Sequence, residues 1–111
     1  MRYALCLVFF AAAMIPAMAA LGGDEPSVAL SVKDRKFAPA ELTIPAGKQV
    51  TLTIKNLDAT AVEFESHDFK AEKIVPAGGE VVLHIGPLKP GSYGFFDDFH
   101  EDETKGTLVV K

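Results

Sequence analysis

The sequence has no tryptophan and a single cysteine in 111 residues. That cysteine and all three methionines (Cys6, Met1, Met14 and Met18) fall within the first 19 positions. From residue 20 onward there is no sulfur, which excludes disulfides, thiolate or thioether metal ligands and a cysteine nucleophile from that part of the chain. Basic residues are few, 11 Lys and Arg against 15 Asp and Glu, for a formal charge of −4. Phosphate binding needs clustered Lys and Arg, so this balance argues against nucleic acid as a partner. Helical periodicity is missing too, with no window carrying apolar residues at three- and four-residue spacing over three turns. The sequence contains no G-x-S-x-G elbow, no glycine-rich phosphate loop leading into a helix, and no H-E-x-x-H or C-x-x-C pattern. A hydrolase built on paired carboxylates among Asp97, Glu101 and Glu63 would find little room for a substrate cleft in so short a chain. No catalytic residue is therefore assigned.

The hydrophobic fraction of 49% is concentrated at the start. Arg2 precedes an apolar run from Ala4 to Ile15, Pro16 breaks it, and Ala17-Met18-Ala19 offers a small-x-small cleavage site. The layout predicts a signal peptide over residues 1–19, since the run is short of the roughly 20 residues a membrane span needs. The product is expected to be exported and periplasmic, with no membrane insertion after cleavage. Residues 20–27, including Gly22-Gly23-Asp24-Glu25-Pro26, read as a flexible tail, and residues 28–111 as one domain.

From Val28 the periodicity is two. Val28, Leu30 and Val32 alternate with small or polar residues, as do Val50, Leu52 and Ile54, Val62 and Phe64, and Val81, Leu83 and Ile85. Tyr93, Phe95, Leu108 and Val110 complete the set, and Pro45-Ala46-Gly47, Pro76-Ala77-Gly78-Gly79 and Lys89-Pro90-Gly91 supply turns. The pattern predicts an all-β fold, a Greek-key antiparallel β-sandwich of seven to eight strands.

Two acidic clusters carry the chemistry. Asp97-Asp98-Phe99-His100-Glu101-Asp102-Glu103 places five carboxylates and one imidazole in seven residues. Such a loop repels itself, and it reads either as a solvated hairpin tip or as a cation site. The three-residue spacing of Asp97 and His100 would let both reach one ion while Phe99 packs inward. In Glu63-Phe64-Glu65, the two glutamates share one face of a strand. Glu72-Lys73 reads as a local surface pair, and His84 as a surface histidine.

The segment Phe37-Ala38-Pro39-Ala40-Glu41-Leu42-Thr43-Ile44-Pro45-Ala46-Gly47, the strand Val50 to Asn56, the stretch Lys89-Pro90-Gly91-Ser92-Tyr93-Gly94-Phe95-Phe96 and the closing Gly106-Thr107-Leu108-Val109-Val110 together resemble the cupredoxins over nearly all of residues 28–111. In that resemblance the copper cysteine is replaced by Asp97, its histidine is kept as His100, Thr104 or Lys105 stands near the methionine, and Glu63 falls near the first histidine. A blue-copper electron carrier requires a thiolate and is excluded. The substituted set is similar to EfeO-type cupredoxin-like domains and to the small periplasmic cupredoxins that accompany bacterial iron permeases. That resemblance implies ferrous-iron uptake, by binding or oxidation of iron, with a membrane iron permease or another periplasmic iron-binding protein as partner. It points to Glu63, Asp97 and His100 as metal ligands, with Glu65, Asp98 and Glu101 supporting. Carboxylates in place of thiolate suit iron, manganese or Cu(II) and disfavour Cu(I). Oxidation of the ion would need an electron acceptor, so the chain reads first as a metal-binding accessory protein. The competing expectations are a metal-free module that docks a basic partner through its acidic pole, and a Cu(II)-binding protein.

Overall fold

The computed structural model describes residues 25–111. The expected leader lies outside the described residues, as does most of the expected tail. The described chain forms nine strands: β1 (Ser27–Lys33), β2 (Lys36–Ala38), β3 (Glu41–Ile44), β4 (Val50–Asn56), β5 (Val62–Ser66), β6 (Ala71–Val75), β7 (Glu80–Ile85), β8 (Gly91–Asp97) and β9 (Lys105–Val110). A 3₁₀ turn, Asp98–His100, follows β8 directly.

The strands make a four-stranded sheet, ordered β2-β1-β4-β7, and a five-stranded sheet, ordered β3-β9-β8-β5-β6. The expected sandwich is present, but its sheets are mixed, because β1 runs parallel to β4 and β3 parallel to β9. The strand count exceeds seven to eight because β2 is three residues long and β6 does not alternate, with Glu72, Lys73 and the apolar Ile74 all exposed. Neither run is long enough or alternating enough to register as a strand by periodicity.

Burial follows the period of two where the sequence shows it. Along β4, Val50, Leu52 and Ile54 are buried and Lys55 is exposed. Along β5, Val62, Phe64 and Ser66 are buried while Glu63 and Glu65 face outward. Between the sheets, Phe95 stands edge-on to Phe37 with ring centroids 5.0 Å apart, and the Phe64 ring lies 5.3 Å from that of Phe95. Opposite Phe95 in the ladder is Gly106, where a Cβ would overlap the ring carbons Cζ and Cε2 of Phe95. Glycine is required there by the aromatic neighbour.

One pole is tied by polar side chains. The two-residue turn between β1 and β2 places Asp34 and Arg35 at φ 52° and 60°, a geometry that favours Asn or Gly. The Asp58 carboxylate supports it by accepting from both turn amides, at 2.6 and 2.9 Å. Asp58 is itself held by its backbone N–H, which donates to the buried Asn56 Oδ1 at 3.0 Å. Asn56 Nδ2 donates to the carbonyls of Thr60, Val75 and Pro76. Thr104, fully buried, donates its hydroxyl to the Arg35 carbonyl at 2.8 Å, which brings the segment before β9 onto the same pole.

Candidate metal centre

The outer face of β5 carries Glu63 and Glu65, and the register sets Glu72 of β6 directly opposite Glu65. Asp98, the first residue of the 3₁₀ turn, comes over the same face. Glu63, Glu65 and Asp98 each offer a carboxylate oxygen, and these oxygens lie within 4.8 Å of one another. Two of the three, Glu63 and Glu65, are shifted in their protonation. Desolvation on the sheet face, a hydrogen bond with Glu72 and the charges of Glu72, Asp98 and Glu65 hold the Glu63 carboxyl above the ordinary range. Glu65 is raised by the same desolvation and by the Asp98 charge, with His67 opposing. The His67 Nδ1 stands 3.8 Å from Glu65 Oε1, and its ring packs on Phe96 at 5.2 Å.

Asp97 belongs to the opposite face. It pairs with Phe64 across the ladder, points into the sandwich and is 1% exposed. Its Oδ1 accepts from the backbone N–H groups of Glu63 and Phe99, both at 3.0 Å, and its Oδ2 is 2.9 Å from His100 Nδ1. The Asp97–His100 spacing that suggested a shared ion is the span of one 3₁₀ turn closed by a hydrogen bond. The backbone continues the closure, with Asp97 N–H donating to the Thr104 carbonyl and Thr104 N–H to that of His100.

The six residues named as ligands are therefore divided. Glu63, Glu65 and Asp98 come together on the outer face. Asp97 and His100 form an inward pair behind them, because adjacent residues at a strand end point to opposite sides. Glu101 is exposed and lines an open groove of about 520 Å³ with His67, Asp68 and Lys105. Phe99, expected to pack inward, is 51% exposed, since the 3₁₀ turn swings it out of the strand's alternation. Glu72 and His67 stand beside the carboxylates and were absent from the ligand set. A two-strand reading centred on His67-Asp68-Phe69-Lys70 would have paired Glu65 with Glu72. His84 is an exposed surface residue, paired with Glu25 at 2.9 Å.

This chain belongs to the cupredoxin-like domain family, whose profile matches residues 4–110. Among curated proteins, the uncharacterised protein RP394 of Rickettsia prowazekii is 38% identical over 111 residues, covering 96% of this chain and 88% of that protein. Among solved structures, the metal-binding domain of the Cu(I)-exporting P-type ATPase CopA from Streptococcus pneumoniae D39, solved with Cu(I), superposes with a TM-score of 0.69. That alignment is 15% identical and covers 77% of this chain and 84% of the other. The blue copper protein auracyanin A of Chloroflexus aurantiacus gives a TM-score of 0.64 at 16% identity, covering 77% and 98%. At these identities the likeness is one of fold.

The residues do not fit a blue-copper centre. Residues 25–111 contain neither Cys nor Met. At the place where the resemblance puts the copper cysteine, both oxygens of a buried aspartate are engaged by donors. An all-oxygen set is a hard-cation set.

Proposed function

We propose that this chain is a cation-binding cupredoxin-like protein of the periplasm that serves ferrous-iron uptake, taking up iron through Glu63, Glu65 and Asp98 and handing it to a membrane permease or another iron-binding protein. One observation carries the reading: carboxylates from two separate elements converge within 4.8 Å on the outer face of the sheet, and two of them, half-buried, hold protons above their ordinary range. A divalent ion would relieve that repulsion, and oxygen donors favour iron or manganese over Cu(I). The leader pattern of residues 1–19 supports export, and the resemblance to permease-associated cupredoxins supports iron. Glu72 adds charge beside the trio, and Asp97 and His100 support it from behind. Carboxylates stabilise Fe(III) over Fe(II), so oxidation would follow only with an electron acceptor, and binding with delivery is the role assigned.

Calorimetric titration with Fe(II) under anaerobic conditions, Mn(II) and Cu(II) tests it, comparing the wild type with a Glu63→Gln/Glu65→Gln variant. The wild type is expected to bind Fe(II) and Mn(II) more than about 100-fold more tightly than the variant, since two ligands rather than an outer-shell group are removed. Equal, millimolar binding by both proteins overturns the reading. Half-exposed Phe99, set among Asp98, Glu101, Asp102 and Glu103, favours a second reading, a docking surface for a basic partner. Partner binding that is salt-sensitive and indifferent to chelators would select it.

A further inference from the structure

The β5–β8 ladder is short, with Phe64 opposite Asp97 and Glu65 opposite Phe96. Continued by one residue, that register would set Glu63 opposite Asp98. The main chain turns into the 3₁₀ element at that point, so the Glu63 N–H meets no strand carbonyl there. The Asp97 side chain takes it instead, with Oδ1 at 3.0 Å. The same oxygen accepts from Phe99 N–H, one residue past Asp98, and Oδ2 is engaged by His100. A single buried carboxylate thus clamps the backbone of Glu63 to the turn that carries Asp98. It does so from the core side, while the two side chains meet on the outer face.

We infer that Asp97 is a positioning residue for the outer-face cation site. Its carboxylate acts as a side-chain rung that extends the ladder and fixes the Glu63 and Asp98 carboxylates within reach of one ion. Left to themselves, those like-charged groups would drive the turn away from β5. The buried rung opposes that separation at the cost of no ligand, because neither of its oxygens faces the site. His100 closes the rung from the far side and keeps Oδ2 occupied. The inference rests on the cation-binding reading and adds to it the element that sets its geometry.

The test uses Mn(II) alone as the probe, with free ion followed by electron paramagnetic resonance, on the wild type and on Asp97→Ala, Asp97→Asn, His100→Ala and Glu65→Gln. Thermal melts confirm that each protein is folded at the titration temperature. Asp97→Ala is expected to weaken Mn(II) binding about 10- to 100-fold, the usual scale for a residue that orients ligands from behind. Asp97→Asn retains an oxygen for the Glu63 and Phe99 amides and should restore affinity to within a few-fold of wild type. That rescue separates position from charge. His100→Ala removes one of three donors and should give an intermediate loss, which decides the matter if Asp97→Ala does not fold. Mn(II) binding lost in Glu65→Gln but unchanged in Asp97→Ala and His100→Ala overturns this inference and leaves the cation site standing. No Mn(II) binding by the wild type overturns both.

Discussion

Gly106→Ala asks whether the aromatic centre of the sandwich is as rigid as its geometry implies. Substituting Ala for Gly in an extended segment ordinarily stabilises by about 0.4–1 kcal/mol, because the unfolded chain loses freedom. At Gly106 the sign should reverse. The new Cβ would overlap Cζ and Cε2 of Phe95, and it would also crowd the Ala40 carbonyl oxygen at 3.0 Å. Phe95 is itself confined, edge-on to Phe37 at 5.0 Å and against Phe64 at 5.3 Å. Overpacking of a well-filled core costs about 1–3 kcal/mol, and the doubly crowded site places this case toward the upper end. For a domain of this size that corresponds to a fall in Tm of roughly 10–20 °C. Phe95→Leu alone should cost on the order of 1–2 kcal/mol through lost contacts. Combined, the two changes should cost less than their sum by about 1 kcal/mol or more, because the smaller side chain makes room for the methyl. Gly94→Ala is the control, since its Cβ would meet only Asp68 Oδ2 at 3.6 Å, and it should be neutral or mildly stabilising. Urea unfolding followed by circular dichroism measures all four. Additive losses in the double variant, or a Gly106→Ala protein as stable as wild type, would refute the steric account.

Asn56→Ala should destabilise by about 2–4 kcal/mol in the same assay, since it strands the Asp58 amide and removes the donor to three carbonyls. A loss no larger than that of an exposed polar residue would contradict the assigned role. The metal-free protein should also show a pH signature. Glu63 and Glu65 hold protons above the ordinary carboxylate range in the folded state. Their contribution is therefore fully present below the unfolded value near about 4.3 and is lost as pH rises through the raised values. Relative to wild type, Glu63→Gln/Glu65→Gln should gain in Tm as pH climbs through that window, and a difference independent of pH would count against the desolvation and repulsion that raise the two groups.

Much of the sandwich was legible because its central strands obey the simplest rule. Val50, Leu52 and Ile54 on β4, and Val62 and Phe64 on β5, alternate with polar residues and are buried as that alternation requires. β6 was not legible, since its middle residues Glu72, Lys73 and Ile74 are all exposed and only Ala71 and Val75 at its ends touch the core. Its strand state comes from pairing with β5, a tertiary cause that local pattern does not carry. The same blindness affected the site. The sequence identified Glu63, Glu65 and Asp98 as candidates, but ranked Asp97 and His100 as central ligands and Glu65 and Asp98 only as supporting ones. Whether Asp97 lies in front of or behind the sheet depends on where β8 ends and the 3₁₀ turn begins, and a shift of one residue there exchanges the two faces. Glu72 was set aside for a related reason, because its partners lie across the hairpin and not beside it in sequence.

The parallel pairing of β3 with β9 has a consequence in time. Glu41 finds its neighbour only at Thr107, and Ile44 only at Val110. β8 likewise needs β9 along its length, from Gly91 with Val110 to Phe96 with Lys105. Until β9 is available, the larger sheet lacks the strand that joins β3 to β8, so it cannot close. Closure of that sheet must wait for β9, which β3 then has to find across most of the length of the domain. Topologies of this kind fold in milliseconds to seconds, not microseconds. Until β9 pairs, β3 and β8 lack their shared partner, which makes that pairing the step that commits the larger sheet to its final shape.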